Sequence, residues 1–206
     1  MLNSRHLRFC AGKSGLALSP RCSSRAFSLY ELLVTLAVLT ILATIAIPSF
    51  RQMVASQRMV AALNGLITAL HATRSEAIRR GEHAVLCPSR DGRLCSAPDG
   101  SQTFWHHGYL LYIDKNANHQ QDPDEAAMRV FETAPGLRIH TTRSRSSVAY
   151  KPNGLAPTSN TTFTFCADHP DVPARTVIVS NSGRPRTSTR LPDGGMPDCS
   201  ASVAAL

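Results

Sequence analysis

Apolar and polar positions change rhythm twice along the chain, and each rhythm predicts a different element. Leu32 to Phe50 is an uninterrupted uncharged run, and the 21 residues from Phe27 to Ile47 would span about 30 Å as a helix. That length matches the hydrocarbon core of a bilayer. Beyond it Ala55, Met59, Ala62, Leu63, Leu66, Leu70 and Ala77 recur at helical spacing, which makes one apolar stripe. Pro48 is tolerated as a kink in a membrane helix, while Arg79, Arg80 and Gly81 supply a cationic last turn and a glycine stop. One helix from Ser28 to Arg80 follows, its first half in lipid and its second half amphipathic and packed on a domain. After Gly81 the runs become short and β-like: HAVLC, GYLLYI, MRVFE, LRIH, SVAY, TFTFC and RTVIVS. SRDG, DKNANHQQDPDE, KPNG and SNSG break them, so an antiparallel β domain is expected. The last residues, LPDGGMPDCSASVAAL, form a turn-rich tail with no strong element.

Composition alters this picture only through where the charge lies. The 206 residues suit one ordinary domain, and 43% apolar with 17% charged residues excludes a disordered chain. A net charge of +8 suggests nucleic acid or membrane contact, but residues 1–26 hold five bases and no acid. Without them the excess falls to +3, and it belongs to the C-terminal third: Arg138 to Leu206 carries eight bases against four acids. The basic segment before the apolar run predicts a cytoplasmic N-terminus. Glu31, at the edge of that run, departs from an ordinary secretory signal, because a carboxylate in lipid is costly without a partner.

Cysteine usage agrees with export. Cys10 and Cys22 fall in the leader, and Cys87, Cys95, Cys166 and Cys199 remain. Three pairings are open to four cysteines; the expected one joins Cys87 to Cys95 across the SRDG turn and Cys166 to Cys199, pinning the tail to a strand. No Cys-x-x-Cys spacing favours zinc. DKNANHQQDPDE places Asp114, Asn116, Asn118, Asp122 and Glu125 where a calcium loop has oxygen ligands. His119 replaces the glycine such a loop requires, and strands rather than helices flank it, so a plain turn is expected and no metal. His106 and His107 beside Trp105 assemble no nucleophile, base and acid, and TTRSRSSV lacks a nucleophile elbow, so no enzyme and no cofactor are expected.

AFSLYE followed by the apolar helix resembles the signal of type IV prepilins and pseudopilins. The resemblance implies cleavage between Ala26 and Phe27 by a prepilin peptidase, methylation of the new Phe27 amine, and Glu31 as the fifth mature residue. In a helical assembly the Glu31 carboxylate would neutralise the Phe27 ammonium of a neighbouring subunit. Ala26 departs from the usual glycine before the cut. ATRSEAIRRG, VLCPSRDGRLC, WHHGYLLYIDKNAN, KPNGLA, TFTFC and VIVSNSGRPR together resemble the GspH/FimT family of minor pilins and pseudopilins, from Phe27 to about Arg186. The implied fold is α+β and type IV pilin-like: a long N-terminal helix packed on a C-terminal antiparallel β domain. The implied organisation is a cleaved leader at 1–26, a transmembrane part at 27–50, an amphipathic part at 51–81 and a periplasmic β domain with its tail at 82–206. The expected place is the bacterial inner membrane, single-pass, then the pilus or pseudopilus, with other pilin subunits as partners.

Within SGRPRTSTR, Gly183, Arg184, Pro185 and Arg186 fit position by position the Gly-Arg-x-Arg motif that FimT-like members use in DNA uptake during natural transformation. Gly183 permits a tight turn off the last expected strand, Pro185 stiffens the backbone, and the two guanidinium groups are suited to successive phosphates of double-stranded DNA. Arg190 is expected to help, with Arg175, Lys151, Arg143 and Arg145 as further candidates. The alternative is a type II secretion pseudopilin with an assembly role and no DNA binding.

Overall fold

The computed structural model describes residues 28–97, 103–141, 145–157 and 159–199. Helix α1 (Leu29–Arg80) comes first. It is followed by β1 (His83–Pro88), β2 (Thr103–Phe104), β3 (Tyr109–Asp114), β4 (Arg129–Phe131), β5 (Leu137–Thr141), β6 (Val148–Tyr150), β7 (Thr161–Ala167), β8 (Arg175–Val179) and β9 (Pro185–Ser188). Ser28 caps α1, its Oγ accepting the Glu31 N–H at 3.2 Å, which satisfies a donor that a helix start leaves open. Glu31 therefore sits at the third helical position of a Ser-x-x-Glu start, with its carboxylate at the positive end of the helix dipole. At the other end Arg79 and Arg80 both pair with Glu76. Gly81 then takes φ +68° and returns its N–H to the Ala77 carbonyl at 3.0 Å, which stops the helix. Pro48 lies inside α1 without ending it.

The chain divides into two compact units, Met1–Ala43 and Thr44–Leu206. In the first unit Leu32, Leu33, Leu36, Leu39 and Leu42 are each more than half exposed, an apolar surface that no described residue covers. By length and composition α1 is able to cross a membrane.

In the second unit the stripe read from the sequence is buried at Met59, Ala62, Leu63, Leu66, Leu70 and Ala77 and partly buried at Ala55, and Ala69 joins it. It meets two antiparallel sheets, one in the order β4-β3-β1-β6 and one in the order β2-β5-β7-β8-β9. Alternate residues of each sheet share one core with the helix: Ala84, Leu86, Tyr109 and Leu111 from the first, Ile139, Phe163, Phe165, Val177 and Val179 from the second. Trp105 joins the two. Its backbone N–H donates to the Ile139 carbonyl at 2.8 Å, and its ring lies 4.9 Å from Phe163 and 6.2 Å from Tyr109.

The four-stranded sheet also buries its other face, which is why HAVLC and GYLLYI read as continuous apolar runs, whereas the five-stranded sheet buries Thr162, Thr164 and Thr176 there and TFTFC alternates. Val85, Cys87, Leu110, Tyr112 and Ala149 form a second small core with Cys95 and Ala127. Cys87 and Cys95 are bonded, Cα to Cα 5.6 Å, which ties the irregular segment after β1 over that face. Cys166 and Cys199 are bonded at 5.8 Å and bring the tail to β7. Two strands were not anticipated. Strand β2 has two residues, too few to show a period, and β9 (Pro-Arg-Thr-Ser) has no apolar position to reveal one. The expectation that SGRPRTSTR follows the last strand as a loop is thereby corrected: its centre is a strand paired with β8.

Burial pushes the pKa of His140 down, with Asp198 opposing and Arg138 adding to the effect, and burial followed by His107 does the same for His106. A histidine whose folded pKa is depressed binds fewer protons folded than unfolded between the depressed value and its usual value of about 6.5. Its stabilising contribution is therefore complete above about pH 6.5 and is lost as the pH falls through the folded pKa. Thermal unfolding of the full chain in detergent, followed by fluorescence of Trp105, the only tryptophan, should show a lower midpoint at pH 5 than at pH 7.5. His140→Gln combined with His106→Gln should flatten that difference, and an undiminished pH dependence would contradict the assignment.

Candidate functional site

The arginines of interest hang on a hairpin. In it β8 and β9 pair antiparallel, with Val177 opposite Thr187, Ile178 opposite Arg186 and Val179 opposite Pro185. Val177 and Val179 face the core, so Arg186 shares the outer face with Ile178, and Arg184, two residues earlier, is exposed beside it. Pro185 stands at the first position of an edge strand, where its missing N–H breaks little of the ladder.

Residues 180–183 turn the hairpin, closed by the Gly183 N–H on the Ser180 carbonyl at 2.8 Å. Gly183 is buried at φ +73°. A Cβ added there would stand 2.5 Å from the Gly154 carbonyl oxygen and 2.8 Å from the Tyr150 ring. The turn is therefore seated on a second one, Lys151 to Gly154, itself closed by the Gly154 N–H on the Lys151 carbonyl at 2.8 Å. A third contact, Ala156 N–H to the Asn181 carbonyl at 3.0 Å, holds the two together. Arg74 of α1 approaches the same place, with its Nε 2.9 Å from where a Gly154 Cβ would lie. Segments carrying Arg74, Lys151 and Arg184 thus converge around one glycine contact.

The other candidates separate from it. Arg175 begins β8, at the end of the hairpin away from the turn. It borders a cavity of about 600 Å³ with Ser56, Met59, Leu63 and Thr187. Arg190 follows β9, donates its Nη1 to the Gly194 carbonyl at 3.2 Å, and so belongs to the tail turn. Arg145 follows β5, which β7 and β8 separate from β9. Ala26, Phe27 and Arg143 lie outside the described residues. Arg74 escaped the sequence reading because it lies off the apolar stripe, and only folding brings it to residue 154.

The loop after β3 is closed by its own hydrogen bonds. Glu125, buried, accepts the Lys115 N–H at 2.7 Å and the Asp122 N–H at 3.2 Å. The side-chain amides of Asn116 and Asn118 donate to Asp122 at 2.7 and 3.0 Å. Asp114 accepts the N–H groups of Asn118 and His119.

Comparison with known proteins adds three findings. The family model of the type II transport protein GspH matches residues 62–183, more than half of the chain. The prokaryotic N-terminal methylation motif matches residues 21–47. Among solved structures, the type IV minor pilin FimU of Pseudomonas aeruginosa PAO1 shares the fold at a TM-score of 0.50 and 20% identity, covering 69% of this chain and 94% of that one. A second crystal form of FimU gives 0.47 and 20%, with 67% and 96% covered. No curated protein matches.

Replacing Gly183 by alanine should strain the backbone and push against Gly154, with a loss of at least about 1 kcal/mol in chemical unfolding of the full chain. Arg184→Ala, exposed and off the core, should stay within about 0.5 kcal/mol of the parent. Equal stability of Gly183→Ala and the parent would show that the two turns do not bear on each other.

Proposed function

Because the chain belongs to the type II transport protein GspH family and carries the N-terminal methylation motif, we propose that it acts as a FimT-like minor pilin that binds double-stranded DNA through the Gly183–Arg186 stretch during natural transformation. A minor pilin or pseudopilin role in an inner-membrane-anchored filament comes with the family, as do processing by prepilin peptidase and assembly with other pilin subunits. Pilins and pseudopilins are structural proteins. The finer reading rests on one observation: Arg184 and Arg186 are exposed and two residues apart beside an immobilised turn. Side chains on a strand end lose less freedom on binding than side chains on a tail. Two forked guanidinium groups on one face suit neighbouring phosphates and carry no base readout.

In this proposal cleavage falls between Ala26 and Phe27, Phe27 is N-methylated, residues 27–50 lie in the membrane and residues 82–206 on its periplasmic side. Gly183 shapes the turn, Arg184 and Arg186 hold phosphate, and Arg190 serves mainly to order the tail. The disulfides Cys87–Cys95 and Cys166–Cys199 suit an oxidising compartment. A secretion pseudopilin without DNA binding is the rival reading, and the presence of the gene among type II secretion genes would favour it.

Gel shifts with the full chain in detergent should show sequence-tolerant DNA binding that weakens steeply with salt. Arg184→Ala with Arg186→Ala should lower the magnitude of the log–log salt slope by about 1.8, two phosphate contacts at about 0.9 each. Transformation frequency should fall in the same double variant with piliation intact; unchanged affinity and unchanged transformation would refute the DNA reading. Glu31→Ala should still be cleaved but fail to enter filaments, as read by the variant's share in sheared pili. Undiminished incorporation would remove Glu31 from the assembly role.

A further inference from the structure

Beside the self-closed loop after β3 a different group of side chains meets. His83, the first residue of β1, stands opposite Asp114, the last residue of β3, in the antiparallel ladder. Directly opposed residues project to the same side of a sheet, so the imidazole and the carboxylate are neighbours. Asp114 then turns the chain back on itself, Oδ1 accepting the Asn118 N–H at 3.2 Å and Oδ2 the His119 N–H at 2.9 Å. His119 arrives at φ +62°, a left-handed conformation in which histidine, asparagine and aspartate are enriched among residues other than glycine.

The result is a cluster of three. One ligand atom from each of His83, Asp114 and His119 lies within 4.8 Å of the other two. The imidazole centroids are 6.2 Å apart with their planes at 30°. Asp114 is 1% exposed, the two histidines partly so. The Nδ1 of His83 is buried with no hydrogen-bond partner among the described residues, so its desolvation goes unrepaid there.

We propose that His83, Asp114 and His119 bind a divalent transition-metal ion of the zinc(II) class. Two imidazoles and one carboxylate are a donor set for zinc, nickel or copper, with solvent completing the shell on the exposed side of the histidines. Calcium and magnesium prefer oxygen donors throughout, and this cluster offers one carboxylate. The two backbone N–H groups on Asp114 leave each oxygen a further lone pair and fix its orientation, as hydrogen bonds to a ligating carboxylate do. The ion ties the loop after β3 to the start of β1.

The test is equilibrium dialysis of the untagged full chain in detergent against zinc chloride, with the metal counted by mass spectrometry. About one zinc per chain is expected at micromolar free zinc. His83→Gln and His119→Asn should each weaken binding by more than about tenfold, since even loss of an outer partner costs that much. Asparagine keeps the left-handed backbone accessible at position 119, and Trp105 fluorescence should report an unchanged domain in both variants. Absence of zinc from the parent chain would overturn the proposal, and so would equal binding by the parent and both variants, which would point to histidines elsewhere such as His106 and His107. Calcium binding that strengthens in His119→Gly would overturn it too, by making the loop an oxygen-ligand site.

Discussion

Among the described residues no strand of the four-stranded sheet pairs with a strand of the five-stranded one, so the sheets meet through side chains and through main-chain bonds between turns such as Ala156 N–H to the Asn181 carbonyl. The buried stripe of α1 packs into the core that both sheets share. Leu66, Ala69 and Leu70 have no exposed surface, and alanines at 62, 69 and 77 let the helix approach where leucines at 63, 66 and 70 fill. Without this wall the inner faces of both sheets would be wet, and neither sheet has an inner face large enough to close a core alone. Trp105 adds a stitch from the loop side, with its backbone in the ladder of β5 and its ring between Phe163 and Tyr109.

Covering the outer faces does not cover the edges: among the described residues β4 and β9 are both exposed edge strands. Irregular segments tied by Cys87–Cys95 and Cys166–Cys199 lie over the two sheets, while β9 ends the five-stranded sheet as an exposed edge. An open edge invites pairing with other chains, and proline and charge are the usual protection. Pro185 and Arg186 provide both. The same charges that suit phosphate therefore have a second physical reason to sit on this strand. That is why the salt dependence of binding, and not the exposure of the arginines, distinguishes a ligand site from a protected edge.

Among the described residues the helix, its stripe and seven of the nine strands were legible in the sequence, because burial gives each an apolar period or an apolar run. Strand β9 was not, since Pro-Arg-Thr-Ser is what an edge strand tolerates and resembles a loop in composition. Its pairing is dictated from the other side, by the free edge of β8 and the glycine turn. Gly183 was read correctly as a turn residue, yet the reason no side chain fits there is the Gly154 carbonyl, some thirty residues earlier in the chain. Arg74 and His83 were missed for the same reason: each acquires its neighbours only through a contact between distant segments. Arg175, Arg145 and Arg190 share charge with Arg184 but not place, which composition cannot express.

Left-handed backbone positions separate two kinds of information in this chain. At Gly183 the conformation and the closeness of Gly154 both exclude a Cβ, so the residue identity is fully accounted for by the fold. In the loop after β3 the backbone bonds to Asp114 impose left-handed conformations on Ala117 and His119, and neither is glycine. The cost of that conformation arises at the Cβ, so Ala117 and His119 bear it alike. The two differ in what their side chains meet: Ala117 carries only a methyl group, whereas the His119 imidazole comes to rest beside another imidazole and a buried carboxylate. Backbone geometry therefore accounts for neither identity, and ligation is the contribution the three groups of the cluster are chemically equipped to make.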